Sequence, residues 1–393
     1  MSEIVRIGAR GDGVTDDGRF IAFGVPGDRV EPDGTLIPGP DHQVPPCRHF
    51  PECGGCQLQH VADPAYARWA LARIEHALAG IPIGSIQPVH LSPPRTRRRA
   101  SLHAVKRGQT VLGFASEASH RIIDLHECHV LLPELFALVA PLRALLGKAM
   151  KDGQGAGVTL AATDSGIDVL LSNVAANSLP EIERLTRFAA AHGLARLSVE
   201  NEGGVETMAL ASEPVMHFGG VPVAMPPAAF LQATRDGEAA LVAAVLAATA
   251  GAGKVADLFC GLGTFSLPLA AHAKVLAVDG GGPATVALQS AARLAGKLLL
   301  TEHRDLFRRP LLPAELDRFD ALVFDPPRAG AAAQVEQIAL SKVPIVVAVS
   351  CNPSTFSRDA RVLVEAGYRI GRIWPVGQFR WSTHLELVAE FRR

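Results

Sequence analysis

Between residues 226 and 393, short apolar stretches rich in β-branched residues alternate with segments of helical length, and this alternation restricts the fold more than any other feature of the chain. It predicts strands over 255–259, 275–279, 298–301, 321–324, 343–350, 369–374 and 384–391, with helices over 237–250, 284–295 and 354–366. Strands that alternate with helices build a doubly wound parallel sheet, so the fold class expected here is α/β. The last strand follows its predecessor too closely for a crossover and is expected to run antiparallel. Open sheets of this kind bind ligands outside the carboxyl ends of their strands, which directs attention to the residues that end them.

Asp257-Leu-Phe-Cys-Gly-Leu-Gly-Thr264 runs from a strand through Gly-x-Gly into a helix, a turn whose glycines let the backbone approach a ligand closely. Two glycines without a third disfavour a dinucleotide. Asp279 ends the next strand, where a carboxylate can accept both ribose hydroxyls, and Asp305 and Asp325 end two more. Together they describe a nucleoside pocket that S-adenosylmethionine fits, while each acid taken singly is equally well explained as a helix cap. Ser350-Cys-Asn-Pro353 closes the apolar run 343–349 and puts Cys351 at the same edge. A thiol there is a candidate nucleophile, with a buried structural cysteine as the alternative. In Asp325-Pro-Pro-Arg-Ala-Gly330, Arg328 occupies the place where an amino-group methyltransferase carries a base-stacking aromatic, which argues against a nitrogen acceptor.

The amino half is organised differently. Residues 1–40 alternate short strand-like pieces with Gly-rich turns and read as a small antiparallel β segment, too short for a robust core of its own. Residues 41–225 form a central region whose densest feature is Cys47-x5-Cys53-Gly-Gly-Cys56, with Cys128 much later in His126-Glu-Cys-His129. Four thiols suit an iron-sulfur cluster or structural zinc, and His49, His60, His126 and His129 keep a mixed zinc site open. Residues 100–220 read as mixed strands with one helix over 179–192, and a further helix spans 64–79. Met225-Pro-Pro227 marks the boundary to the third region, 226–393. The net charge of −1 gives no global sign of a nucleic-acid binder, but Arg95-Thr-Arg-Arg-Arg99 with Lys106 and Arg107 concentrates bases that could contact phosphates or could form a solvated face. The charged first ten residues and the lack of any long apolar run lead to the expectation of a cytoplasmic protein with no membrane contact and no obligate protein partner.

With these motifs in order, the chain resembles the 5-methyluridine RNA methyltransferases, which methylate carbon 5 of uracil in 23S rRNA or in the tRNA T-loop. The resemblance rests on the four cysteines, Phe230-x-Gln232, the Gly turn, Asp325-Pro-Pro-Arg-Ala-Gly330, Ser350-Cys-Asn-Pro353 and Thr383-His-Leu-Glu386. It implies an RNA substrate, rRNA ahead of tRNA, and a 4Fe-4S cluster on Cys47, Cys53, Cys56 and Cys128, with zinc as runner-up. It further implies S-adenosylmethionine held by Gln232, Phe259, Gly261, Gly263, Thr264, Asp279, Asp305 and Asp325, with Cys351 as nucleophile and Glu386 as base. Residues 1–40 look like a truncated TRAM RNA-binding module. Asp279 stands where the family usually has Glu, Thr264 replaces a frequent Asn, and Trp381-Ser382 replaces Pro-His. The alternative outside catalysis is an RNA-binding protein with a metal-stabilised fold.

Overall fold

The computed structural model describes residues 1–117 and 119–393. Its largest element is a nine-stranded sheet in the order Leu299–His303, Lys274–Asp279, Lys254–Leu258, Ala321–Phe324, Ile345–Ser350, Glu386–Arg392, Arg369–Gly377 and Ile83–Ile86, with His90–Leu91 also paired to Arg369–Gly377. The first five run parallel, and Glu386–Arg392 inserts antiparallel between Ile345–Ser350 and Arg369–Gly377. The alternation therefore forms the expected sheet, and the last strand runs as its short connection requires. Strands buried on both faces explain the nearly continuous apolar runs, such as Val346 to Val349, whose side chains divide between two cores on opposite sides of the sheet.

The amino half contributes directly to this sheet. Ile83–Ile86 pairs parallel with Arg369–Gly377 and covers its free edge. Helix Asp63–Ala77 lays Tyr66, Trp69, Ala70 and Ile74 into the same core as Leu387 and Phe391. Residues 1–40 form a five-stranded antiparallel sheet too small to stand alone, and Ile7 and Val25 complete their burial in that shared core. Trp69 ties the two together by donating its indole N–H to the carbonyl of Gly8 at 3.3 Å.

A six-stranded sheet fills the middle of the chain, in the order Gly204–Leu210, Arg196–Asn201, Gly166–Ser172, Gly155–Thr163, Arg99–Arg107 and Gln109–Gly113. Here the structure departs from the expectation of a single helix. Besides Leu179–Ala191, helices Pro133–Ala137 and Val139–Ala149 pack on this sheet. Pro141 and Gly147 masked the second, but Pro141 lies in the first turn, where its missing N–H costs nothing, and Val139, Leu142, Leu145 and Leu146 make one buried stripe. The basic cluster likewise opens a strand: Ala100, Leu102 and Ala104 point into the core at period two. Among the described residues, no helix is long and apolar enough to cross a membrane.

Candidate functional site

The carboxyl ends of the parallel strands carry the predicted constellation. Backbone strain marks the first turn: Phe259, directly after Lys254–Leu258, has φ of 62°, and its N–H reaches the carbonyl of Val278 at 2.8 Å. The two glycines of the turn have different reasons. A Cβ on Gly263 would lie 2.4 Å from Leu288, so glycine lets helix Gly282–Leu294 close against the turn. A Cβ on Gly261 would meet nothing, which leaves that backbone open to the crevice. Thr264 is half-buried in the same turn.

Asp279 ends its strand with one carboxylate oxygen accepting the Gly261 N–H at 2.9 Å and the other accepting the Gly281 N–H at 2.6 Å. Asp325 stands at the end of Ala321–Phe324, and Gln232 donates to it at 3.4 Å. Asp305 is different. Its oxygen accepts the N–H groups of Phe307 and Arg308, so it caps its own turn, as the alternative reading of these acids allowed. That turn also carries Phe307, whose ring centroid lies 5.4 Å from that of Phe259.

Asp257 opens the Gly-turn motif, and nothing in the sequence marks it for a role. It is fully buried, takes a hydrogen bond from Ser266 at 2.5 Å, and leaves its other oxygen without a partner. Burial, with the charges of Asp325 and Asp279 nearby, pushes its pKa up to about 7. Burial also raises Asp325 above the usual carboxylate range. A cation brought beside Asp257 and Asp325 would favour their ionised forms and relieve this cost of burial.

Cys351 and Glu386 meet through strand register. Ser350 pairs with Leu387 in the antiparallel ladder, so one step further the thiol of Cys351 and the carboxyl of Glu386 stand opposite each other. Burial raises both groups. Cys351 is pushed up to about 11, first by desolvation and then by the charges of Glu386 and Asp325, with Arg328 pulling the other way. Glu386 is raised by its almost complete burial and by Asp325. Asn352 caps helix Pro353–Glu365 by accepting the Ser354 N–H at 3.1 Å, so the helix amino terminus starts beside the thiol and favours its anion. His384 lies 3.4 Å from Arg328, and burial with that cation lowers its pKa.

The four amino-half thiols line one cavity with Phe50, Gln59, Phe114 and Glu127. Gly54 is required there, because a Cβ would lie 2.7 Å from the carbonyl of Ala115. Among the described residues, no group of three or more His, Cys, Asp and Glu is close enough to hold a single metal ion. Of the histidines, His49 accepts the His126 N–H at 3.0 Å, and His60 is buried among Phe23, Phe50 and His42. The thiol region meets the connection that leads to Glu386 at Trp381, whose side chain packs with Cys56 and Val130 and whose carbonyl accepts the N–H groups of Gln57 and Leu58, each at 2.8 Å.

Within the basic cluster, Arg95 and Arg107 are exposed, whereas Arg98 is turned inward. Arg98 is fully buried, donating to the carbonyl of Gln232 at 3.0 Å and pairing with Glu238. Arg97 sits over the rings of Phe114 and Phe379, and Arg99 over Phe230.

A parallel sheet with a Gly turn, strand-end acids and an antiparallel strand inserted next to the last parallel one defines a class I methyltransferase fold. A solved structure supports it over its whole length: the Pyrococcus abyssi tRNA (uracil-54, C5)-methyltransferase in complex with S-adenosyl-L-homocysteine matches with a TM-score of 0.76 at 22% identity, covering 100% of both chains. The tRNA (Uracil-5-)-methyltransferase family profile matches residues 228–389. An RNA methyltransferase of Zymomonas mobilis is 44% identical over the full length of both chains. The 23S rRNA (uracil(1939)-C(5))-methyltransferase RlmD of Pectobacterium atrosepticum is 32% identical across 91% of this chain and 81% of its own. The chain belongs to the RNA (uracil-5-)-methyltransferase family and is an enzyme of that kind, with RNA as its substrate.

Proposed function

We infer that the protein transfers a methyl group from S-adenosylmethionine to carbon 5 of a uridine in structured RNA, 23S rRNA ahead of a tRNA T-loop, through a covalent adduct on Cys351 that Glu386 resolves. The observation that carries this reading is the thiol and the carboxyl standing opposite each other at the end of one antiparallel pair, beside Asp325. The rRNA preference is supported by the 32% identical 23S relative, since the tRNA enzyme's likeness speaks for the fold alone.

Carbon 5 of uracil is too poor a nucleophile to take a methyl group unaided. Thiolate addition of Cys351 to carbon 6 pushes the ring electrons into an enolate, and carbon 5 then attacks the methyl group while the carbon–sulfur bond of the sulfonium breaks. Glu386 removes the proton left on carbon 5; that electron pair restores the ring double bond and the thiolate leaves carbon 6. The cofactor would be held by Gln232, Phe259, Gly261, Gly263, Thr264, Asp279, Asp305 and Asp325, the Asp305 turn also carrying Phe307. Its positive charge would favour the ionised forms of Asp257 and Asp325, which burial raises.

Cys47, Cys53, Cys56 and Cys128 would hold a 4Fe-4S cluster, with zinc as runner-up, since all four line one cavity. RNA would approach along a groove of about 1270 Å³ between the amino-terminal sheet and helix Asp63–Ala77. It is lined by Arg6, Arg10, Arg68, Arg73 and Phe20 and ends at Pro353 and Ser354, next to Cys351. This gives residues 1–40 the role of a short RNA-binding segment, followed by a central region over 41–225 and a methyltransferase region over 226–393. Mapping 5-methyluridine in total RNA from a strain lacking the protein tests the assignment: one missing methyl in 23S rRNA is expected, and an unchanged map would overturn it.

A further inference from the structure

Two buried glutamine amides lie between the cofactor side of the crevice and Glu386, and their hydrogen bonds fix which way each faces. Gln378, directly after Arg369–Gly377, is 1% exposed and Gln232 is 3% exposed. The backbone N–H of Ala233 can only donate, so the Gln378 atom it meets at 2.8 Å is the amide oxygen. The Gln378 nitrogen then turns to Gln232 and donates to its oxygen at 2.6 Å. This leaves the Gln232 nitrogen facing Asp325, 3.4 Å away. One hydrogen on the Gln378 nitrogen remains; Glu386 pairs with Val376, two residues before Gln378, so its carboxyl is a neighbour of that nitrogen across the strand pair. A single backbone N–H thus sets the polarity of a chain that runs from Glu386 through both amides to Asp325. The packing around Gln378 is equally specific: a Cβ on Gly237 would lie 2.6 Å from the Cβ of Gln378, so helix Arg235–Ala248 can begin there only with glycine.

We propose that Gln378 is a positioning residue for the proton-removal step, holding the Glu386 carboxyl toward carbon 5 and linking it through Gln232 to Asp325 on the cofactor side. The proposal rests on the reading of Glu386 as the base. Gln378 touches no reacting atom; it donates to the carboxylate that takes the proton, and that bond is stronger to the anion than to the acid. Asp325 and Cys351 are the titratable groups facing Glu386, and Arg328 faces Cys351 from the neighbouring turn. Burial and Asp325 raise the Glu386 pKa, and the Gln378 hydrogen bond opposes them. Without that bond the carboxyl gains its proton at higher pH, so release of methylated RNA needs more alkaline conditions.

The test compares Gln378→Met, which keeps length and removes the donors, with Gln378→Glu, which keeps the shape and the bond from Ala233. Each full-length variant is incubated with labelled S-adenosylmethionine and total RNA from a strain lacking the protein. Protein–RNA adduct is followed on denaturing gels at several pH values. Release is expected to slow about tenfold to a hundredfold, with adduct accumulating, and its half-maximal pH is expected to move upward in Gln378→Met. Gln378→Glu gives the same accumulation should the methionine variant not fold. Glu386→Gln is the control, and its failure to trap adduct would remove the base reading itself. If Glu386→Gln traps adduct while both Gln378 variants release RNA at the parental rate with an unmoved pH profile, or lose activity only through weaker cofactor binding, the proposal is overturned.

Discussion

The acid-lined edge of the large sheet and the thiol-lined cavity near residue 50 each gather four ionisable side chains, but they are built from opposite materials. Asp257, Asp279, Asp325 and Glu386 belong to or directly follow sheet strands, so the hydrogen-bond ladders of the sheet place them. Cys47, Cys53, Cys56 and Cys128 lie in loops outside any strand or helix, joined to their surroundings by single contacts such as the bridge between Cys53 and Ser116. Burial disfavours the charged form in both places: it raises Asp257, Asp325 and Glu386, and it raises all four thiols, Cys56 up to about 12. The acids have a scaffold before any ligand arrives. The thiols have no such ladder, because loops carry few fixed contacts of their own, so a metal group bound there would add more to their order than a ligand adds to that of the acids.

That contrast can be attacked experimentally. The largest effect belongs to the sheet edge: Cys351→Ala should cost at least about a thousandfold in methylation and abolish trapping by 5-fluorouridine RNA, while leaving the melting temperature nearly unchanged. Retained turnover would remove the thiol mechanism. Cys56→Ser should do the reverse first, losing the brown colour of anaerobically purified protein and lowering the melting temperature by roughly 5–10 °C. A variant as stable as the parent would mean that the loops need no central group.

Smaller effects sharpen the comparison. Binding of the positively charged cofactor favours the ionised acids, so protons must leave wherever the free protein still holds them. With Asp257 at about 7 and Asp325 raised as well, affinity should be weakest in acid, tighten about tenfold between roughly pH 6 and 8, and level off above. Calorimetry showing no pH dependence would mean the acids do not face the cofactor. Last, Arg6→Ala with Arg10→Ala should weaken RNA binding several-fold and flatten its salt dependence, with cofactor binding untouched. Unchanged RNA affinity would place the RNA path elsewhere.

The same contrast explains what could be read without coordinates. The strand endings were legible because a buried parallel strand is a β-branched run and its last residue is visible in the sequence; Asp279, Asp325 and Cys351 follow from that alone. The meeting of Cys351 with Glu386 is expected from the family resemblance, since the short connection before the last strand fixes only its antiparallel direction and not its insertion beside Ile345–Ser350. Gln378 carried no signal, since a lone glutamine after a strand looks like any polar loop residue until Ala233 is brought against it. Asp257 looked like motif spelling because its burial depends on helices packed from both sides. Arg98 looked like a surface cation, and only the return of the chain at Gln232 and Glu238 turns it inward.

The pairing of Ile83–Ile86 with Arg369–Gly377 sets a limit on how the molecule can be divided. A fragment starting at residue 226 would keep every residue that the chemistry uses, yet its outermost strand would bear a row of unmatched amide groups beside Ile370 and Ile373, side chains now sealed in the interior. Such a fragment would tend to dimerise or aggregate edge to edge, so expression work on the catalytic portion should begin upstream of residue 63, where the helix and strand that close that border begin.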